Sequence, residues 1–184
     1  IDMNAFENIV ALFLEESGYW VRQSVKVDIS REDKRNIGLP SMPRPEIDLV
    51  ALNVKENILL LIEVKSFLDS YGVKFSSFSD ENEKEKKRYR LLTDKVYQRI
   101  VTEALVRDYA KNGLITESVS IRYALAAGKI YSKDEDKIKD HFEKHGWILI
   151  SPDEIKEKIR GLANKGWEDN VIIKTTKLLK DIRP

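Results

Sequence analysis

The chain has 184 residues, no cysteine and a formal net charge of +1, with 42% hydrophobic and 34% charged residues. That length suits one domain with a sizeable core, and that balance excludes a disordered polar chain. Without cysteine there are no disulfides, thiolate zinc centres or cysteine nucleophiles, and no apolar run approaches the ~20 residues of a membrane-spanning helix.

The opening IDMNAFENIV lacks a basic segment followed by an apolar one, so no secretory leader is read and a cytoplasmic protein is expected. Residues 4 to 17 predict an amphipathic helix. Asn4 is placed to cap it, with Glu7 three residues on, and Phe6, Ile9, Val10, Phe13 and Leu14 form the apolar face. Glu7 lies at the edge of that face, either as a capping partner or as a carboxylate leaning into a cleft. Tyr19 to Ile29 alternates loosely as a strand. Residues 30 to 45, with three prolines and a glycine, predict a loop offering Lys34, Arg35 and Arg44 to phosphates.

Glu46 to Leu52 and Ile58 to Lys65 predict two strands joined by a polar turn, hence an antiparallel hairpin. Residues 66 to 80 are rich in serine and aromatics, and either a flexible loop or a short strand near Val73 to Phe75 fits them. Residues 83 to 112 predict one long helix with a stripe of Tyr89, Leu92, Val96, Ile100, Leu105 and Val106. Its first half is basic. Val119 to Tyr131 predicts an apolar strand. Ser132 to Glu135 has the form of a capping box opening a helix to His145, stopped by Gly146. Trp147 to Ile150 is a short strand. Ser151-Pro152-Asp153-Glu154 opens a helix with proline in its first turn. A last helix is read from about Glu168 to Ile182. The order predicts a single α/β domain over residues 1–184, with a mixed central sheet flanked by helices.

The charges at the hairpin carry the functional reading. Side chains alternate along a strand, so Glu46 and Asp48 share one face, as do Glu63 and Lys65. Buried charge beside a core is expensive unless it is used. If pairing brings the faces together, Asp48, Glu63 and Lys65 converge. Two carboxylates with the Val64 carbonyl make a hard-oxygen site suited to Mg²⁺, with Mn²⁺ as a substitute. Lys65 is then placed to hold or deprotonate a water, or to offset developing charge. The plain alternative is a salt-bridge cluster, though two acids and one lysine leave net negative charge for a cation to fill.

PEID and LLLIEVK, whose Asp48 and Glu63 stand fifteen residues apart, behind the helix NAFENIVALFLEESGYWV, resemble the PD-(D/E)XK nuclease superfamily, especially its Mrr-like and archaeal junction-resolvase branches. The likeness covers roughly residues 3 to 111, the motif-bearing core, with residues 112–184 completing the sheet and helices. It implies a restriction-endonuclease-like fold. Glu7 matches the family's helix glutamate, Asp48 the motif aspartate, Glu63 the second acid and Lys65 the lysine. Lys95 or Gln98 loosely matches an assisting residue on the following helix. Glu46 competes with Asp48 for the ligand role; Asp48 is nearer the strand interior and fits the motif.

The resemblance implies a Mg²⁺-dependent DNA endonuclease, first a type II restriction endonuclease or a subunit of one. A Holliday-junction resolvase or DNA repair nuclease comes next. The expected partners are DNA and a second subunit, either a copy of this chain or another nuclease chain. Lys84, Lys86, Lys87, Arg88 and Arg90, with Arg44, are the candidate DNA contacts. The competing class is a non-catalytic nucleic-acid-binding module on the same fold. His141 and His145 are four apart, but HFEKH is not the HExxH pattern, and exposed histidines complementing a helix end are the preferred reading. Trp20, Trp147 and Trp167 are expected in or beside the core.

Overall fold

The computed structural model describes residues 4–79 and 83–180. Five strands form one mixed sheet in the order β1 (Trp20–Lys26), β2 (Glu46–Asn53), β3 (Ile58–Lys65), β4 (Ser120–Ala127) and β5 (Ile148–Ile150). β1, β2 and β3 pair antiparallel; β3, β4 and β5 pair parallel. β3 is the central strand, covered on both faces. This is why Leu59 to Ile62 is continuously apolar and fully buried rather than alternating.

Eight helices flank the sheet among the described residues: α1 (Ala5–Glu16), α2 (Arg31–Asn36), α3 (Glu83–Lys86), α4 (Arg90–Thr93), α5 (Lys95–Lys111), α6 (Glu135–His145), α7 (Pro152–Leu162) and α8 (Val171–Lys180). On one face, Phe6, Val10, Phe13 and Leu14 of α1 and Ile155 of α7 pack on Leu49, Ala51, Leu60, Ile62 and Val64. On the other, Tyr97, Val101 and Leu105 of α5 pack on Val50, Leu59 and Leu61. Further along, Ile138 and Phe142 of α6 cluster with Val73, Tyr89, Leu125 and Ala127. α8 docks through Ile173 on Leu162 and Leu12.

Most expected elements form, including the α7 capping box of Ser151 and Glu154 and the left-handed stop at Gly146. Four expectations are corrected. The 30–45 segment is not all loop: Ser30 and Asp33 make a reciprocal capping box that starts α2. Lys34 there is committed to the Met42 carbonyl (2.8 Å). The long helix over 83–112 is broken, because Asp94 is extended and its carboxylate accepts from the Tyr97 amide, starting a new helix. Thr93 reinforces the break by donating to the Lys86 and Tyr89 carbonyls. The break resets the helical phase, so Tyr97, Val101 and Ala104 are buried while Val96 is exposed.

The Ser132 capping box does not form either; Asp134 precedes α6, and its side chain accepts from the Phe75 amide instead (3.0 Å). Finally, Trp20 and Trp167 are 73% and 87% exposed, so of the three tryptophans only Trp147 lies at the core boundary. Val73 makes the short strand-like contact, a parallel bridge to Ile130. The last helix is seen to Lys180, and its expected end at 181–182 lies outside the described residues.

Candidate active site

The β2–β3 ladder keeps register from Asn53↔Ile58 to Leu49↔Ile62 and stops there. One step beyond, Asp48 stands across from Glu63. The hairpin splays at this point, and the Val64 amide donates to Asp48 Oδ2 (2.7 Å). On the far side, the Lys65 carbonyl accepts from the Gly128 amide (2.8 Å). Backbone groups alternate sides along a strand, so the Val64 carbonyl points with its N–H towards the splayed gap and Asp48.

Lys65 closes the cluster. Its Nζ lies 2.9 Å from Glu63 Oε2 and 3.5 Å from Asp48 Oδ2, and the three side chains are only 16–23% exposed. Burial pushes the Glu63 carboxyl above its usual range; Lys65 opposes this and Asp48 adds to it. Burial alone would depress Lys65, but the facing Glu63 and Asp48 outweigh it and raise its pKa. The two shifts have different leading causes, burial for Glu63 and the facing acids for Lys65, but in both two acids share one ammonium.

Glu7 leans towards the same place from the first turn of α1. Its carboxyl is raised by partial burial and then by Asp48, while a 2.7 Å hydrogen bond from Asn4 Nδ2 holds it. The expected cap thus exists in altered form. Asn4 Oδ1 accepts from the Phe6 amide, and Glu7 bonds the cap's side chain rather than its backbone. Gly128 fixes how closely α1 approaches: a Cβ there would lie 2.4 Å from the Ser66 carbonyl oxygen and 3.0 Å from the Phe6 ring.

The broken helix supplies the other wall. Tyr89 is fully buried, with Lys65 Nζ 5.8 Å from its ring centre, and Arg90 lies 5.9 Å over the Tyr97 ring. The Tyr97 phenol is pushed up to about 12, by burial and then by Glu63. Sequence reasoning counted Tyr89 only as core, because an apolar stripe does not tell which ring faces a charge.

The structure brings together Asp48, Glu63 and Lys65, with Glu7 beside them. Glu46 is exposed, and its charge adds to the raised carboxyl of Glu7. Gln98 is not part of the cluster: its amide donates to the Leu91 carbonyl (2.7 Å) and ties α5 to α4. Lys95 is exposed and lines a separate cavity of about 280 Å³ with Lys86, Lys87 and Arg90, alongside Glu83 and Asp94. Lys84, Lys87 and Arg88 are exposed. Local acids partly offset the basic set: Lys86 pairs with Glu83, Arg88 with Glu85, and Arg44 with Asp28.

Among the described residues no group of three or more His, Cys, Asp or Glu side chains is gathered for a metal ion. Magnesium needs less: one or two carboxylates, completed by water and substrate phosphate, are its usual protein ligands. Asp48 and Glu63 with the Val64 carbonyl meet that requirement, and their excess negative charge suits a cation.

Compared with protein-family models, curated proteins and solved structures, the chain matches none. Among the described residues no helix is long and apolar enough to cross a membrane.

Proposed function

We propose that the chain is a Mg²⁺-dependent DNA endonuclease with a restriction-endonuclease-like fold of the PD-(D/E)XK type. The observation that carries this reading is the convergence of Asp48, Glu63 and Lys65 at the splayed end of a central hairpin. Asp48 and Glu63, with the Val64 carbonyl, would hold the ion, with Mn²⁺ as a substitute. When bound, the ion supplies Lewis acidity towards the phosphate and lowers the pKa of a water. Lys65 orients that water and offsets charge developing on the phosphate. Glu7 sets the charge on the Asp48 side. The cavity lined by Lys86, Lys87, Arg90 and Lys95 receives a neighbouring backbone phosphate.

Among nucleases, a type II restriction enzyme or a subunit of one fits best. A net charge of +1 suits it better than a resolvase, which grips a large and highly charged junction. Cutting both strands calls for two such sites, hence a second subunit. The test is conversion of supercoiled plasmid with Mg²⁺ or Mn²⁺. Wild type should nick or linearise it, and Asp48→Ala should not. The second reading, a non-catalytic DNA-binding module, draws on one observation: Lys65 already occupies both carboxylates. Plasmid binding without cleavage under either ion decides for that reading.

A further inference from the structure

We propose that His141 and His145, on the last two turns of α6, form a two-histidine site for a divalent transition-metal ion, Zn²⁺ foremost. This site is separate from the acid–lysine cluster and does not depend on its reading. Residues four apart share a helix face, and here the imidazole centres are 4.2 Å apart with planes at 38°. Zinc–nitrogen bonds are about 2.0–2.1 Å, so a tetrahedral ion takes two nitrogens roughly 3.3 Å apart, within the span of two rings this close.

The tautomer of His145 follows from its contact. Its Nδ1 lies 2.7 Å from the His141 carbonyl oxygen, which can only accept. Nδ1 therefore carries the proton, and in the neutral ring Nε2 keeps its lone pair. A carbonyl behind one ring nitrogen is the arrangement that orients a metal-bound histidine and sharpens its other nitrogen as a ligand.

Both rings are also held in place by packing. His145 stacks on Trp147, with centres 4.5 Å apart and planes at 27°. His141 is wedged between Phe75 (5.7 Å, edge-on), Phe78 (5.9 Å) and Trp147 (5.7 Å). Pre-set rings lose little freedom on binding. The ion would sit near the C-terminal end of α6, where the helix carbonyls favour positive charge. Two imidazole ligands favour zinc, nickel or copper over magnesium. Among the described residues no third His, Cys, Asp or Glu joins the pair, so water completes the shell.

Trp147 gives the readout. In a Trp20→Phe/Trp167→Phe background, Trp147 is the remaining indole, and Ni²⁺ bound at His145 should quench its emission. Calorimetry with Zn²⁺ in the Asp48→Asn background, where the acid–lysine cluster has lost a ligand, should show one ion, and the histidine variants are read in that background. His145→Gln should weaken binding at least about tenfold. The double variant His141→Gln/His145→Gln should abolish both binding and quenching, with its circular dichroism unchanged. Zn²⁺ affinity and Ni²⁺ quenching that persist in the double variant would overturn the proposal. So would an absence of binding in the wild type, or a zinc ion lost with Asp48→Asn and kept without the histidines.

Discussion

Replacing Lys65 with methionine tests the charge arrangement at the hairpin end most directly. Methionine keeps the length and apolar stem but removes the ammonium that Glu63 and Asp48 share at 2.9 and 3.5 Å. Two largely buried carboxylates then face each other uncompensated. Breaking a buried pair from one side costs about 3–5 kcal/mol. Residual exposure of a fifth or so places this case near the lower end, about 3 kcal/mol at pH 7, or a Tm lower by roughly 6–12 °C for a chain of this size.

The loss should depend on pH. Glu63 is already raised above its unfolded value, and without Lys65 it rises further. A carboxyl with a raised folded pKa holds its proton more tightly in the native state. Stability is then highest below the unfolded pKa and falls as pH increases towards the folded pKa. The deficit of Lys65→Met should therefore be small near pH 4 and should grow on the way to pH 7. Urea unfolding followed by circular dichroism at both pH values measures it. Divalent metal gives a second readout: with a Kd of ~1 mM, 10 mM Mg²⁺ stabilises the native state by about 1.4 kcal/mol, and Asp48→Asn should remove that gain. A deficit equal at both pH values, or larger in acid, would refute the assignment of excess negative charge to this site.

Three further substitutions test the frame around the site. Tyr89→Phe should be neutral or stabilising by up to about 1 kcal/mol in urea unfolding, because the buried Tyr89 hydroxyl has no hydrogen-bond partner and Ser77 Oγ is turned to Glu85. Gly128→Ala should destabilise by about 1–3 kcal/mol, since its Cβ would meet the Ser66 carbonyl and the Phe6 ring; a thermal melt with unchanged Tm would contradict that close approach. Asp94→Ala should cost about 1 kcal/mol through loss of the α5 cap, read as a lower urea midpoint at constant m-value.

The sequence carried the hairpin well because its signals are local and agree. Glu46 to Lys65 has an apolar run too long to be half-exposed, a polar turn, and charges only at one end. The register that makes Asp48 face Glu63 was not readable from it, since a one-residue slip would send every side chain to the other face. Register is fixed by Leu49, Ala51, Leu60 and Ile62 packing under α1, which is a tertiary fact. The broken helix shows the opposite case. An aspartate before a helical run is a strong cap, and Asp94 caps α5 inside the 83–112 segment expected as one helix. Missing it shifted the apolar stripe and placed Gln98 near the site, when its amide is spent on the Leu91 carbonyl.

These two features meet at one place. The cap at Asp94 ends α4 and lets the preceding turn bury Tyr89 against Lys65, while the splayed hairpin frees the Val64 amide for Asp48. A continuous helix would have left this end of the sheet without its aromatic wall, and a continuous ladder would have tied the Val64 amide to a backbone carbonyl. The fold thus gives up regular hydrogen bonding on the β2 side of β3's end and between α4 and α5, and leaves two acids under one ammonium and a tyrosine hydroxyl without a partner. Departures from local consistency that gather at one point, rather than scattering over the surface, are what a functional site costs a stable fold. That argument is independent of any motif. It predicts that substitutions neutralising the cluster, Glu63→Gln above all, should hold or raise stability at pH 7 in urea unfolding while removing plasmid cleavage; a large loss of stability on Glu63→Gln would mean that the cluster is there to hold the fold.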